Sequence, residues 1–145
     1  MENLETNNKK KIIKLDFKES KYATGRRKKS IAKVWVKKGS GNIFVNGLKM
    51  NDYFKRPVHQ IIVTRPLEIT EVRTNYDVKC SVRGGGLSGQ AGAIILGISK
   101  ALISHDEVLK KSLKKDKLTT RDSRVVERKK YGHRKARRSF QFSKR

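Results

Sequence analysis

Cysteine occurs once in the 145 residues, as Cys80, proline twice, as Pro57 and Pro66, and tryptophan once, as Trp35. A lone cysteine excludes a disulfide within the chain, and the cysteine pairs of a zinc knuckle or ribbon are missing. A reducing compartment suits it. Acids are scarce as well: 13 Asp and Glu stand against 37 Lys and Arg, a formal net charge of +24. A field of that size repels the chain from itself unless anions lie against it, so nucleic acid is the leading partner class and an anionic membrane surface the second. Long apolar runs are missing too. The longest stretch without a charged residue, Gly84 to Ser99, has sixteen residues and includes glycines, two serines and a glutamine, so no membrane crossing is expected. Residues 1–20 mix Glu2, Glu5, Asp16 and Glu19 with lysines and lack the apolar stretch of a signal peptide or the acid-poor composition of a transit peptide. They read as a variable, poorly ordered extension.

What remains suits one globular domain with basic ends. From Ser30, Ala32, Val34 and Val36 alternate with Ile31, Lys33, Trp35 and Lys37, the period of a half-buried strand that Gly39, Ser40 and Gly41 break. Ile43 and Val45 resume the period, and Asn46-Gly47 marks a hairpin turn. Between Asn51 and Val63 the apolar spacing fits one or two short helices, with Pro57 at a boundary. Tyr76, Val78, Cys80 and Val82 share one face of the clearest strand, which puts Cys80 in the core. Ala91, Ile94, Ile95, Ile98, Ala101 and Leu102 make one apolar helical stripe that should pack on the sheet. A second helix follows from about Asp106 to Lys115, with acids at its start and lysines at its end. Beyond Thr119 periodicity fades and charge takes over.

Three segments carry chemistry. Gly84, Gly85, Gly86, Leu87, Ser88, Gly89 and Gln90 join the best strand to the best helix, and free amides there can hold an anion. The spacing lacks the Lys-Ser/Thr of a triphosphate loop and is not a dinucleotide fingerprint, leaving RNA phosphate, close backbone packing or a purely structural turn. Arg26, Arg27, Lys28 and Lys29, read as lying just before the first strand, suit phosphate contact or form a solvated charge run. Arg121, Arg124, Arg128, Lys129 and Lys130 extend the basic surface toward the tail. In Tyr131 to Arg145 six fixed cations, Arg134, Lys135, Arg137, Arg138, Lys144 and Arg145, accompany Tyr131, Phe140 and Phe142 with no acid. Such a segment stays extended until a polyanion neutralises it. Its aromatics either stack on bases or anchor the tail to its own domain. His59, His105 and His133 stand in unrelated contexts, and no acid is spaced to complete a triad or metal cluster with them.

The stretches TGRRKKSIAKVWV (24–36), VRGGGLSGQAGAI (82–94) and TRDSRVVERKKYGHRKARRSFQFSKR (120–145), with the glycine and Asn-Gly pattern of residues 39–47, resemble the S-nine family of small-subunit ribosomal proteins. The resemblance runs from Tyr22 to Arg145, and the closing QFSKR is similar to the bacterial and organellar branch. It implies an α+β fold: a two-layer α/β domain like the second domain of ribosomal protein S-five, with helices on one face of a mixed sheet and a long basic extended C-terminal tail. The implied division is residues 1–20, 21–120 and 121–145. The implied function is a non-enzymatic constituent that binds ribosomal RNA in the head of the small subunit. Its tail would reach toward peptidyl-site tRNA, with Ser143, Lys144 and Arg145 near the anticodon stem-loop. Ribosomal RNA contacts would come from Arg26 to Lys29, Arg83, the Gly84–Gln90 turn, Arg121, Arg124, Arg128, Lys129, Lys130, Arg134, Lys135, Arg137 and Arg138. Implied partners are small-subunit ribosomal RNA, that tRNA and neighbouring head proteins, with no cofactor, metal, membrane or small-molecule substrate. The location is the ribosome of the cytoplasm or of an organelle. Where many relatives carry Arg-His after Gly-Ala-Ile, this chain has Ile95 and Leu96, so the helix is expected to be more buried there, or to face another protein. The exit from the second helix, Lys115 to Thr120, also departs from the family pattern. Rival readings are a general nucleic-acid compaction or chaperone protein and, far behind, a phosphate-handling enzyme using the glycine turn.

Overall fold

The computed structural model describes residues 18–144, so Arg145 and nearly all of the expected N-terminal extension lie outside the described residues. Strand β1 (Lys21–Arg27) pairs antiparallel with β2 (Ser30–Lys38), which pairs antiparallel with β5 (Tyr76–Arg83). Strand β3 (Ile43–Val45) runs parallel to β5 and antiparallel to the short β4 (Leu48–Lys49) across the Asn46-Gly47 turn. The result is a mixed five-stranded sheet of order β1-β2-β5-β3-β4. Helix α1 (Met50–Tyr53) and helix α2 (Pro57–Ile69) follow β4, helix α3 (Leu87–His105) follows β5, and helix α4 (Leu109–Lys115) comes last.

Alternation decides which sheet face is covered. Ala32, Val34 and Val36 of β2 and Val78, Cys80 and Val82 of β5 are buried together with Ile94, Ile98 and Leu102 of α3. Burying each of those three α3 side chains stabilises the fold by roughly 1.5–3 kcal/mol. Burial also holds the Cys80 thiol protonated, far above its ordinary range. The fold is therefore α+β, with helices on one face of a mixed sheet, as the resemblance implies.

Four expectations need correction. Arg26 to Lys29 do not precede the first strand: Arg26 and Arg27 end β1, and Lys28 and Lys29 turn it into β2. Strand β1 is illegible because Ala23 and Gly25 are the only small or apolar residues it turns toward α3, beside the Arg27 chain over Gly92; a Cβ on Gly25 would overlap the Ala93 carbonyl oxygen, so the helix backbone fills the space an apolar side chain would signal. Helix α2 does not stop at Val63 but continues to Ile69 through Pro66, which gives up one backbone hydrogen bond and is fully buried. Helix α3 starts at Leu87, so Ser88, Gly89 and Gln90 are in its first turn and not in a free loop. Nor is α3 a single stripe. By length and composition it could span a membrane, yet it is buried on more than one side, against β1, β2 and α2, with Gly89, Gly92 and Gly97 among its buried residues. Leu96 is buried and Ile95 half-buried, which is the fate expected of that position without its cations.

Candidate nucleic-acid interface

The hairpin between β1 and β2 is closed by the pair Arg27 and Ser30, leaving Lys28 and Lys29 at its tip. Lys28 adopts φ 51°, a left-handed conformation that costs a non-glycine residue about 1 kcal/mol and persists only where the surroundings hold it. The glycine turn does so. The Ser30 hydroxyl donates to the Gly84 carbonyl at 3.0 Å, and the Gln90 side-chain amide donates to the same oxygen at 3.2 Å. The Tyr53 hydroxyl in turn donates to Gln90 Oε1 at 2.8 Å. A Cβ on Gly84 would lie 2.5 Å from the Lys29 carbonyl oxygen, and one on Gly85 would strike the Ser30 side chain. Gly86 is different, because nothing lies within 4 Å of a Cβ built there. The close-packing reading thus accounts for Gly84, Gly85 and Gly89, while Gly86 is open to whatever approaches from outside.

The root of the tail joins the same end of the molecule. Asp122 Oδ2 lies 3.3 Å from an Arg27 guanidinium nitrogen, and Arg124 grips the same carboxylate with donors at 2.8 and 3.0 Å. These hydrogen bonds from Arg124, assisted by the charge of Arg27, hold the Asp122 carboxyl far below the usual carboxylate range. The Arg27 chain lies over Gly92, whose missing side chain leaves it room, and its Nε is buried without a hydrogen-bond partner among the described residues. Between α2, α3, β1 and residues 117–122 opens a cleft of about 360 Å³ lined by Arg26, Arg27, Arg65, Lys117 and Asp122 over a floor that includes Ile62, Ile95 and Leu96. Arg65 and Lys117 were missed at the level of sequence. Arg65 stands among apolar residues of α2 with no neighbouring cation, so no local signal announces that the fold carries it to this cleft.

Along the tail Arg121, Arg128, Lys129, Lys130, Lys135, Arg138, Ser143 and Lys144 are exposed. Glu127 accepts two hydrogen bonds from Arg137, at 2.7 and 3.0 Å, and this pairing raises the Arg137 pKa further above its ordinary value. His133 and Ser139 form an isolated antiparallel bridge, the Arg134 amide donates to the Arg138 carbonyl at 2.7 Å, and the Arg134 guanidinium stands 5.4 Å from the Phe140 ring centroid. These contacts are local to the tail, so residues 127–140 make a turn of their own instead of running straight. Tyr131 and Phe142 are 96% and 87% exposed, which leaves their rings open for stacking and not committed to the domain.

The histidines lie apart. His59 is buried on α2 against Phe54, His105 Nε2 lies 3.0 Å from the Val36 carbonyl oxygen, and His133 meets Ser139 in the tail. Among the described residues no group of three His, Cys, Asp or Glu could hold a metal ion.

A hairpin turn, a glycine turn and the root of a cation-rich tail, brought to one end of a two-layer α+β body, define a protein that meets a polyanion across a surface. The chain matches the family described as Ribosomal protein S9/S16 over residues 25–145, and it belongs to that family. It is accordingly a ribosomal protein of the small subunit, a ribonucleoprotein component that binds ribosomal RNA beside other ribosomal proteins and serves translation as a structural part.

Proposed function

We propose that the chain sits in the head of the small subunit, with residues 21–120 docked on ribosomal RNA and the tail, 121–145, directed at peptidyl-site tRNA. Supporting this is one observation above the rest: Arg26 to Lys29, the Gly84–Gly86 turn and Asp122 to Arg124, far apart in sequence, share contacts at one end of the fold. Arg83 and Ser88 flank that end, and Gly89 and Gln90 act by building the turn. Phosphates on these groups set orientation without reading base sequence. Arg121, Arg128, Lys129, Lys130, Arg134, Lys135, Arg137 and Arg138 continue the ribosomal RNA contacts outward. Ser143, Lys144 and Arg145 then lie near the anticodon stem-loop, where sequence-independent contact suits a site that accepts every tRNA. Arg145 offers phosphate a bidentate fork that lysine lacks. The ribosome concerned is that of the cytoplasm or of an organelle.

Deleting residues 143–145 tests the tail. Subunits should assemble nearly as before and bind peptidyl-site tRNA more weakly; unchanged tRNA affinity refutes the tail assignment. Sedimentation of tagged chain at high salt separates this reading from a general polyanion binder, which would leave the small subunit for light fractions.

A further inference from the structure

The sheet face turned away from the helices takes part in the interface above only at Arg26 and Arg83, which flank Ile31 in register. Register places Tyr22, Trp35 and Lys79 in one cross-strand row, while Lys33 faces Ser81 and Ile31 faces Arg83. The Tyr22 and Trp35 rings pack at a tilt of 44° with centroids 5.3 Å apart, and Lys79 Nζ lies 5.9 Å from the Trp35 ring centroid. Tyr22 is 49% exposed and Ile31 43%. Ile31, Lys33, Ser81 and Arg83 line an open depression of about 230 Å³. Strands β1, β2 and β5 carry a single acid, Asp77, and its Oδ1 already accepts the amides of Ser40 at 3.0 Å and Asn42 at 2.9 Å.

We propose that this face is a second RNA-contacting surface that takes a single-stranded segment, one base stacking on Tyr22 backed by Trp35 and neighbouring phosphates meeting Lys33 and Arg83. The inference rests on the ribosomal RNA binding of the family and adds residues and a mode of contact to it. Charge complementarity selects a polyanion, and the exposed ring of Tyr22 selects one with free base faces, which a duplex hides and a single strand presents. Arg83 runs directly into the Gly84 turn, so the same strand can pass from the sheet to the hairpin end.

Trp35 is the chain's only tryptophan and reports on this face alone. Labelled oligouridylate of about 12 nucleotides is titrated into the full chain at about 0.2 M salt, where the electrostatic share of binding is reduced. Anisotropy reads total binding and Trp35 emission reads the sheet. We expect emission to change on binding, Tyr22→Ala to weaken binding roughly 5-fold or more, and the exposed Lys33→Glu to weaken it more than Lys111→Glu on α4. Binding with unchanged Trp35 emission and no loss in either sheet variant overturns the proposal and leaves RNA binding standing. An absence of binding by anisotropy overturns the proposal as well. An equal Trp35 response to heparin or an acidic peptide overturns the choice of RNA as occupant.

Discussion

A Cβ on Gly25 would overlap the Ala93 carbonyl oxygen and lie 2.6 Å from the Gly97 amide nitrogen, so β1 and α3 approach backbone to backbone at this point. Relief requires moving a helix, because no flexible side chain is there to yield. Gly25→Ala should therefore destabilise by about 1–3 kcal/mol, the cost of overpacking a closed core, seen as a lower urea midpoint with an unchanged slope. Asp122 is the residue that ties the tail to the hairpin. Its folded pKa lies below the ordinary 3.8, so its contribution is complete above that value and is lost only as pH falls through the lower folded one. The link should be insensitive to pH from neutrality down to about 4. A carboxyl NMR titration should find the Asp122 midpoint below 3.8, and a midpoint at or above it would remove the Arg124 and Arg27 contacts from solution.

At the scale of elements, the hairpin turn and the glycine turn form one unit. Gly84 and Gly85 have φ of 74° and 61° and pack on Lys29 and Ser30, whereas Gly86 has an ordinary extended backbone and open space around it. Gly84→Ala should cost about 1–2 kcal/mol from the left-handed backbone alone, and the clash with Lys29 adds to it. Gly86→Ala should leave thermal unfolding unchanged. If Gly86 is a point of close RNA approach, the same variant binds ribosomal RNA fragments more weakly, and equal affinity would assign the turn to structure only.

For the whole molecule, charge governs behaviour. The body is held by its apolar layer, while both acids of the tail, Asp122 and Glu127, are engaged by arginines. Arg124 and Arg137 reach their acids from solvent and contribute little to stability, while the Arg27–Asp122 contact is half-buried; the surrounding tail cations stay available to anions. Removing residues 121–145 should flatten the dependence of RNA affinity on salt by roughly 5 units of log-log slope if about half of the removed cations meet phosphates. An unchanged slope in filter binding would place the electrostatic contacts on the body instead.

Much of this was written locally. Strand β5, the core placement of Cys80, the Asn46-Gly47 hairpin and the existence of α3 follow from alternation, helical spacing and turn chemistry, because each is decided by residues a few positions apart. The RNA-directed character follows from composition, since so large a charge excess has few other uses. Sequence by itself did not reveal β1, because its buried face is nearly bare where the α3 backbone takes the place of side chains. It did not reveal that α3 is buried on more than one side, or that Arg65 and Lys117 join the hairpin cations. Those facts depend on which distant backbones approach each other, and only tertiary packing decides that.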